Sequence, residues 1–341
     1  RFGYRIEGVH GAITRLVSDS DAVDIRDAGG FFPGIPGTGV LDHVAFRAPD
    51  ADAVDAMQSA LAGSDVTHVH DRKYFRSLYV REPAGTLLEY ATDGPGFTLD
   101  EAPEDLGRTL FVPPHDAARA RDLRVMLPQF ALPGEERTPM RELHFIHRFH
   151  RPDDPDGSTI VLLHGTGGNE SDLMPLAARL APRATALGVR GRSTEEGINR
   201  WFRRLDPLTY DQNDIAAEAE AFAGFVAGAV RGYGLDADAL TFLGYSNGAN
   251  LLGAILRMHP GVVRRAVLLR GIEVLDDAPA ADLTGTRVLL TTGARDPYGR
   301  MAPPLEAALK ASGADVDARL IEAGHELSGA DLTAVQGWLA G

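Results

Sequence analysis

In the second half of the chain, short apolar runs alternate with helical stretches, and this alternation constrains the fold more than any other feature. Continuous apolar strands separated by helices are typical of a parallel sheet that helices cover on both faces. The sequence therefore predicts an α/β domain over residues 141–341. The predicted strands are 158–163, 184–189, 239–243, 265–269, 287–292 and 317–321, and the predicted helices include 172–180, 214–233 and 250–258.

The first third of the chain follows another pattern. Its order of strand, helix, strand and strand predicts a smaller α+β domain over residues 1–112. Residues 113–140 include a Pro-, Gly- and Glu-rich stretch, a composition typical of a linker. A chain of 341 residues is long enough for two such domains. In the first domain the predicted strands lie at 41–46, 78–80 and 86–90, and the predicted helix at 51–61.

The composition excludes several classes of protein. The chain has no Cys, which excludes a disulfide scaffold, a thiolate zinc site and a cysteine nucleophile. Its net charge of −14 would repel a phosphate backbone, so we expect no nucleic acid partner. No apolar run approaches the roughly 18 residues of a membrane span. We therefore expect a cytoplasmic enzyme that acts on a small-molecule substrate and has no membrane partner.

The most specific local motif is a Gly-x-Ser-x-Gly pattern at residues 244–248, which follows an apolar strand and precedes an Ala- and Leu-rich helix. A serine at the tip of a sharp strand-to-helix turn needs glycine on both sides, because a side chain there would clash with the neighbouring strand or helix. The helix N-terminus helps to stabilise an oxyanion. A plain Gly-rich turn gives the same five-residue pattern, but the context favours Ser246 as a nucleophile.

Two further residues follow predicted strands: Asp296 comes after 287–292, and His325 comes after 317–321. Catalytic groups collect at the carboxyl ends of strands in an open α/β sheet. The chain order Ser, Asp, His is the order found in α/β-hydrolases. We therefore predict that Ser246 attacks, His325 takes its proton and Asp296 orients the imidazole. A surface aspartate and a loop histidine are the alternative interpretation.

A Gly-rich loop at residues 164–168 closes the first strand of the second domain. An oxyanion needs two backbone N–H donors, one from the residue after the nucleophile and one from such a loop. The sequence predicts Asn247 and Thr166 for these two positions. A phosphate-binding loop is the alternative, although neither a Gly-x-Gly-x-x-Gly nor a Walker-type pattern is present.

Six stretches of the second domain carry a family resemblance: residues 164–168, 190–192, 202–204, 244–250, 293–297 and 323–327. They resemble the phospholipase/carboxylesterase branch of the α/β-hydrolases, most closely the hydrolases associated with the methylhydroquinone response. The resemblance implies hydrolysis of a small carboxylic ester or thioester, with no metal or other cofactor for this domain. Trp201, Phe202 and Arg270 are then expected to line the acyl or alcohol pocket. For Trp201 and Phe202, core packing stays open as the alternative.

The first domain resembles a second family over residues 42–47, 71–79, 81–89 and 93–97. These stretches are similar to the last module of the glyoxalase/extradiol-dioxygenase (vicinal oxygen chelate) superfamily, and the closest branch is the hydroquinone ring-cleaving dioxygenases. The resemblance implies that His43 and Glu89 bind Fe(II) or another divalent metal, and that Arg72 and Tyr79 face an aromatic substrate. Two imidazoles and one carboxylate form the facial triad of a non-haem iron site.

The resemblance is incomplete, because such dioxygenases have four βαββ modules and this chain has about one and a half. His10 lies only 33 residues before His43, too few for a complete module. The resemblance implies that the third metal ligand lies upstream of this sequence, with His10 as the candidate substitute, and a degenerate domain without a complete metal site stays open as the alternative. His68 and His70 share one face of a strand by the two-residue period. They are interpreted as exposed edge histidines, with a divalent ion site as the alternative.

Three hypotheses follow for the whole chain. The first is a serine esterase fused to a partial dioxygenase-like domain, with an ester from aromatic catabolism as its substrate. The second makes ring cleavage the main activity and the hydrolase an accessory. In the third, the first domain is a non-catalytic binding or dimerisation module, because incomplete half-barrels tend to pair and so favour a homo-oligomer.

Overall fold

The computed structural model describes residues 2–27, 39, 41–83, 85–107, 111–128, 140–206 and 208–341. It divides into two compact units, Arg1–Ala117 and Ala118–Gly341. The division falls inside the stretch that the sequence predicts as a linker. The helical part of that stretch belongs to the second unit, while its Pro-, Gly- and Glu-rich part at residues 132–136 lies outside the described residues.

Two small sheets form the first unit. One is antiparallel with the order β1-β2-β3, and the other has the order β4-β7-β6-β5, in which only β4 and β7 are parallel neighbours. Val54 of the helix packs with Leu78 and Tyr90 of the second sheet. The elements are β1 (Arg5–His10), β2 (Ile13–Val17), β3 (Ala22–Arg26), β4 (His43–Ala48), α1 (Ala51–Ala60), β5 (His70–Asp71), β6 (Arg76–Arg81) and β7 (Leu87–Thr92).

The second unit is built on one seven-stranded sheet with the order β14-β13-β12-β11-β9-β10-β8. All neighbouring strands are parallel except β8, which pairs antiparallel with β10 at one edge. The elements are α2 (Ala120–Met126), β8 (His147–His150), β9 (Thr159–Leu163), α3 (Met174–Leu180), β10 (Thr185–Val189), α4 (Gln212–Tyr233), β11 (Leu240–Tyr245), α5 (Asn247–Met258), β12 (Arg265–Leu269), β13 (Arg287–Gly293), α6 (Ala302–Ala311), β14 (Asp315–Ile321) and α7 (Gly329–Leu339).

Helices cover both faces of this sheet. Along β9, Val161 and Leu163 belong to one core cluster, and Ile160 and Leu162 belong to the other, as the two-residue period of a strand requires. Residues of α4, α5 and α6 complete the first cluster, and residues of α2, α3 and α7 complete the second. The predicted doubly wound α/β-hydrolase fold, preceded by a smaller β-rich α+β unit, is confirmed.

The order of the strands determines where functional groups meet. β9 lies beside β11 at the centre of the sheet, and the chain runs from β9 to β10 on one side and from β11 to β12 on the other. Such a reversal leaves a crevice at the carboxyl ends of the strands, where ligands bind in open α/β sheets. Residues 164–168 and Ser246 both lie at this crevice. Among the described residues, no helix has the length and apolarity that a bilayer span requires.

Candidate active site

Ser246 occupies a strained turn between β11 and α5. Its backbone has φ 51° and ψ −115°, a region that L-residues rarely adopt, and its N–H donates to Leu269 O at 2.8 Å. A Cβ on Gly244 would lie 2.6 Å from Ala249 N, and one on Gly248 would lie 2.3 Å from Leu163 O. The predicted need for glycine on both sides of the serine is therefore confirmed.

The structure brings Ser246, His325 and Asp296 together from three different strand ends. His325 Nε2 lies 3.0 Å from Ser246 Oγ, and His325 Nδ1 lies 2.9 Å from Asp296 Oδ2. The Asp296 side chain is 2% exposed and the His325 side chain 30%, so the carboxylate is shielded while the imidazole reaches solvent. In this arrangement Asp296 accepts from Nδ1–H, which leaves Nε2 free to accept the serine proton.

Two tyrosines that the sequence did not single out hold the imidazole. The rings of Tyr245 and Tyr298 lie 5.6 Å and 5.4 Å from that of His325, and the Tyr245 hydroxyl donates to His325 O at 3.1 Å. Tyr245 is the residue before the nucleophile, and Tyr298 follows Asp296 by two residues. Adjacency to predicted catalytic residues was the only signal that could have identified them.

The predicted oxyanion donors lie on either side of the central crevice. Asn247 is the first residue of α5, so its N–H has no acceptor within the helix. Two backbone hydrogen bonds fix the loop after β9. Gly167 N donates to Asn199 O, outside the loop, and Gly168 N donates to Gly165 O within it. Thr166 is exposed at the tip of this loop. The roles of Thr166 and Asn247 as donors stay predictions.

The buried side chain of His164 supports the loop after β9. It is 1% exposed, its Nε2 accepts from Gly191 N at 3.0 Å, and its Nδ1 donates to Gly165 O at 2.6 Å. Burial lowers the pKa of His164. The hydrogen bonds at its two nitrogens fit the tautomer with the proton on Nδ1, and they link the loop after β9 to Gly191.

Trp201 and Phe202 do not line an open pocket, which corrects one of the two interpretations above. They are 0% and 1% exposed and belong to the core cluster on the α4 face. Trp201 Nε1 donates to His164 O at 2.8 Å, and Trp201 N donates to Asn247 Oδ1 at 2.8 Å. The aromatic core therefore holds both the loop after β9 and the first residue of α5.

Arg270 was expected to line the pocket, and the structure corrects this as well. Its side chain is 0% exposed and forms an ion pair with Asp331, which is 1% exposed, with Nη1 2.7 Å from Oδ1. A guanidinium so completely enclosed and paired is not placed to meet a substrate.

In the first unit, the two predicted metal ligands lie side by side on the neighbouring strands β4 and β7 of the four-stranded sheet. His43 Nε2 is 3.1 Å from Glu89 Oε2, and Tyr79 OH donates to Glu89 Oε1 at 2.8 Å. Asp42 Oδ2 accepts from His43 Nδ1 at 2.8 Å, and this hydrogen bond raises the pKa of His43. A carboxylate behind a histidine is the usual second layer of a metal site.

A third ligand does not join this pair among the described residues, where no group of three or more His, Asp or Glu side chains could hold a metal ion. His10 lies on β1, exposed, and is not part of such a group. The rings of His68 and His70 lie 4.5 Å apart, and burial, with Arg72 nearby, lowers the pKa of His70. The described residues therefore do not fit a complete facial triad.

Comparison with known proteins decides the relationship of the second unit. No family model matches the chain. The putative hydrolase MhqD of Bacillus subtilis is 31% identical over 189 residues, which are 53% of this chain and 92% of that protein. A carboxylesterase structure from Mesorhizobium loti is 46% identical with a TM-score of 0.58, covering 59% of this chain and 97% of that one. The chain belongs to this carboxylesterase family. Its C-terminal part is a carboxylesterase-type hydrolase, as the resemblance predicted.

The N-terminal part is similar to a different group. The putative ring-cleaving dioxygenase MhqA of Bacillus subtilis is 38% identical over 93 residues, which are 27% of this chain and 29% of that protein. The chain thus spans about a third of the length of this dioxygenase. The predicted resemblance of the first unit is confirmed, while the carboxylesterase family is covered nearly end to end.

Proposed function

We propose that the protein is a serine hydrolase of small carboxylic esters that uses Ser246, His325 and Asp296 as its catalytic triad. The observation that carries the proposal is the continuous hydrogen-bond chain from Ser246 Oγ through both nitrogens of His325 to Asp296. Membership of the carboxylesterase family supports the reaction class independently of this geometry.

Acylation begins when Ser246 Oγ attacks the ester carbonyl and its proton passes to His325 Nε2. The new imidazolium is stabilised by Asp296, and the carbonyl oxygen becomes an oxyanion that the N–H groups of Asn247 and Thr166 would hold. The C–O bond then breaks, and His325 returns the proton to the departing alcohol. The product of this half-reaction is an ester of Ser246.

Deacylation repeats the sequence with water. His325 Nε2 takes a proton from the water molecule as its oxygen attacks the acyl carbonyl, and a second oxyanion forms at the same donors. Collapse breaks the bond to Ser246 Oγ, which recovers its proton from His325. A carboxylic acid leaves, and the enzyme is ready for another turnover.

The proposed substrate is a small ester from the breakdown of aromatic compounds. The support is the presence on one chain of a carboxylesterase-type unit and a unit similar to ring-cleaving dioxygenases. A panel of short-chain aliphatic esters, aryl esters and thioesters, compared by kcat/KM, tests this. A preference for thioesters by tenfold or more would contradict the ester assignment while leaving the triad intact.

The triad is tested by a fluorophosphonate probe followed by mass spectrometry of the adduct. We expect covalent labelling at Ser246, loss of labelling in Ser246→Ala and His325→Ala, and loss of chromogenic ester hydrolysis in both. Ser158→Ala is the matched control. Ser158 is also part-buried, but it lies directly before β9, at the amino ends of the parallel strands and away from Ser246. Folded wild-type protein that is not labelled at Ser246 would overturn the proposal.

For the first unit, the specific observation is the pairing of His43 with Glu89 beside Asp42. Since the described residues supply two protein ligands and a facial triad needs three, we derive no oxygenase step. Titration of the full chain with Fe(II) under anaerobic conditions, alongside His43→Ala and the exposed control His144→Ala, measures what the pair binds. Tight binding that only His43→Ala abolishes would favour a dioxygenase site.

We also propose that the first unit mediates pairing between copies of the chain, since among the described residues β1 and β4 each pair with a strand on one side only. Light scattering of the full chain measures this directly. A dimeric mass supports the proposal, and a monomeric mass across the micromolar range contradicts it.

A further inference from the structure

Arg270 follows the last residue of β12 and points its side chain beneath the loop that carries His325. Its backbone is left-handed, with φ 59°. A guanidinium has five N–H donors in a rigid planar fork. Here each of the five has an acceptor within hydrogen-bond distance. Nε donates to Gly324 O at 3.0 Å, Nη1 to Thr291 Oγ1 at 3.1 Å and Asp331 Oδ1 at 2.7 Å, and Nη2 to Glu326 O at 3.2 Å and Asp331 Oδ2 at 2.9 Å.

Two of those acceptors flank the proposed general base. Arg270 binds the carbonyls of Gly324 and Glu326, and the Tyr245 hydroxyl binds the carbonyl of His325 between them. Three consecutive carbonyls of the histidine loop are therefore held by side chains of the strand ends next to the nucleophile. The loop has no helix or strand of its own at these residues, so these bonds fix its position.

Asp331 fixes the guanidinium in turn. It lies in the first turn of α7 and accepts two bonds from Arg270, while its Oδ2 also accepts from Ser328 N at 2.9 Å. Although burial alone would favour the neutral acid, the bonds from Arg270 and Ser328 hold the pKa of Asp331 below its usual value. The carboxylate stays charged, and the pair ties β12 to the start of α7 across the histidine loop.

The nucleophile is joined to the same frame. Ser246 N donates to Leu269 O, the residue directly before Arg270, and Arg270 N donates to Thr291 O on β13. Hydrogen bonds therefore connect the backbone of Ser246 and the backbone of the His325 loop to the same end of β12. A shift of Arg270 would change the distance between Ser246 Oγ and His325 Nε2.

We propose that Arg270, anchored by Asp331, is a positioning residue that holds the 324–326 loop so that His325 faces Ser246. The inference rests on the proposed triad and gives Arg270 a role different from pocket lining. Its substitution by Lys tests the fork geometry, because an ammonium keeps the charge towards Asp331 but is a compact point donor that cannot reproduce the planar fork. A misplacement of about 1 Å between reacting groups costs roughly 10²-fold in rate.

The experiment compares Arg270→Lys with Arg257→Lys in the full chain. Arg257 is the matched control, because it forms a partly buried pair with Glu273 that does not contact the histidine loop. Steady-state kinetics use 4-nitrophenyl butyrate as a neutral ester and the 4-nitrophenyl ester of succinic acid as an anionic one. The low-field proton resonance of the Asp296–His325 hydrogen bond is recorded for each variant as a spectroscopic signature.

We expect Arg270→Lys to lower kcat by about 10- to 100-fold for both esters, with KM changed less than threefold and the low-field resonance broadened. Arg257→Lys should keep kcat within twofold of the wild type. A KM increase confined to the anionic ester would overturn the inference and make Arg270 a substrate contact. A kcat for Arg270→Lys equal to that of the control would also overturn it.

Tyr245→Phe keeps the inference testable if Arg270→Lys does not fold. It removes a single hydroxyl from the hydrogen bonds that hold the three carbonyls of residues 324–326. We expect it to lower kcat about fivefold, consistent with the loss of one hydrogen bond, with KM unchanged; an unchanged kcat would overturn the inference. Failure of the proposed function looks different, because then the wild-type enzyme itself is not labelled at Ser246.

Discussion

Asp296 is enclosed while the imidazole that it orients is partly exposed, and this asymmetry separates two roles at the scale of single residues. In the proposed mechanism, the exposed edge of His325 would exchange protons with the substrate, and the shielded carboxylate would select the tautomer. The sequence predicted both residues because each follows a strand end in the right chain order. It could not rank the aromatic neighbours Tyr245 and Tyr298, since which rings pack against an imidazole depends on loop geometry.

Asp296→Asn is expected to lower kcat by about 10⁴-fold with little change in KM, because an amide can present N–H to Nδ1 and stabilise the wrong tautomer. Steady-state hydrolysis of a neutral nitrophenyl ester measures the change. Asp276→Asn, an exposed aspartate of the same unit, is the control. Retention of more than a tenth of the wild-type kcat in Asp296→Asn would argue against its proposed role.

Burial distinguishes residue roles that sequence patterns leave open. Trp201, Phe202 and Arg270 stand in stretches that match the family, and the motif alone gives no indication of which way their side chains point. All three turned out to be enclosed, where they hold the loops that carry the proposed catalytic groups. A match of sequence motifs identifies residues near a site more securely than residues that line it.

At the scale of elements, the two glycines of the nucleophile turn act as spacers between β11, α5 and the loop after β9. A Cβ at Gly248 would meet Leu163 O at 2.3 Å and His164 O at 2.7 Å, and both are backbone atoms that cannot rotate away. The serine turn and the Gly-rich loop can approach each other only because this position has no side chain.

Gly248→Ala is therefore expected to destabilise the fold by about 1–3 kcal/mol and to lower kcat by about 10²-fold through misplacement of the turn. Gly224→Ala is the matched control, because Gly224 is exposed in the interior of α4 and an added Cβ would meet nothing within 4 Å. It should stabilise the protein by about 0.5–1 kcal/mol. Urea unfolding and ester kinetics measure both, and a Gly248→Ala protein as stable as the wild type would contradict the spacer role.

The sequence predicted the central elements well and the peripheral ones poorly. The five-residue strand β12 was predicted at its observed bounds, and the other five predicted strands of the second unit differ by one or two residues at one or both ends. The edge strand β8 was missed because its residues alternate between buried and part-buried, with His147 and Phe149 facing inward. The β1–β3 sheet was missed because its apolar positions, such as Ile6 and Val9, are exposed and form no long apolar run.

At the scale of the whole molecule, the histidine pKa values shift in one direction in the second unit and in both directions in the first. Burial lowers the pKa of His147, His150 and His164 in the second unit. In the first unit, the hydrogen bond that His43 donates to Asp42 raises the pKa of His43, while burial lowers the pKa of His70. Trp201 and Trp338, the two tryptophans of the chain, both lie in the second unit, so their fluorescence reports that unit alone.

Stability of the second unit is expected to fall as the pH drops below about 6.5, the ordinary pKa of histidine. A histidine whose pKa is lowered on folding binds protons more readily in the unfolded chain, so protonation favours unfolding. Urea midpoints followed by tryptophan fluorescence should be lower at pH 5.5 than at pH 7.5. His147→Gln should reduce the difference and the exposed control His144→Gln should not. A midpoint that rises on acidification would contradict the prediction.

Removal of metal ions is expected to leave ester hydrolysis unchanged, since the proposed nucleophile, base and oxyanion donors are all groups of the protein. The kcat of enzyme dialysed against EDTA should equal that of the untreated enzyme within about 20%, a margin that is small against the 10²-fold scale of a catalytic group. As a control, Fe(II) is added back anaerobically to the dialysed enzyme and kcat is measured again. Activity that is lost on dialysis and restored by Fe(II) would contradict the prediction.

The division of the chain into two units was predictable from the change of pattern after its first third, and it falls inside the predicted linker, but the docking of helix α2 was not predictable. Helix α2 lies in the stretch predicted as a linker, yet Asp122 pairs with Arg179 of α3 at 2.5 Å and Val125 enters the second unit's core. Seven residues of moderate apolarity do not predict docking by themselves, because docking depends on a groove that distant residues form.

The positive-φ backbone of Ser246 lowers the stability of the fold but places the side chain where the proposed reaction needs it. Conformations of this kind cost about 1–3 kcal/mol for a residue with a side chain, and only glycine adopts them freely. Ser246→Gly should therefore unfold at a higher urea concentration than Ser246→Ala, and the proposed triad predicts that neither variant hydrolyses an ester. Selection for stability alone would favour the inactive Ser246→Gly variant. The serine is therefore retained only where the proposed hydrolysis is itself under selection.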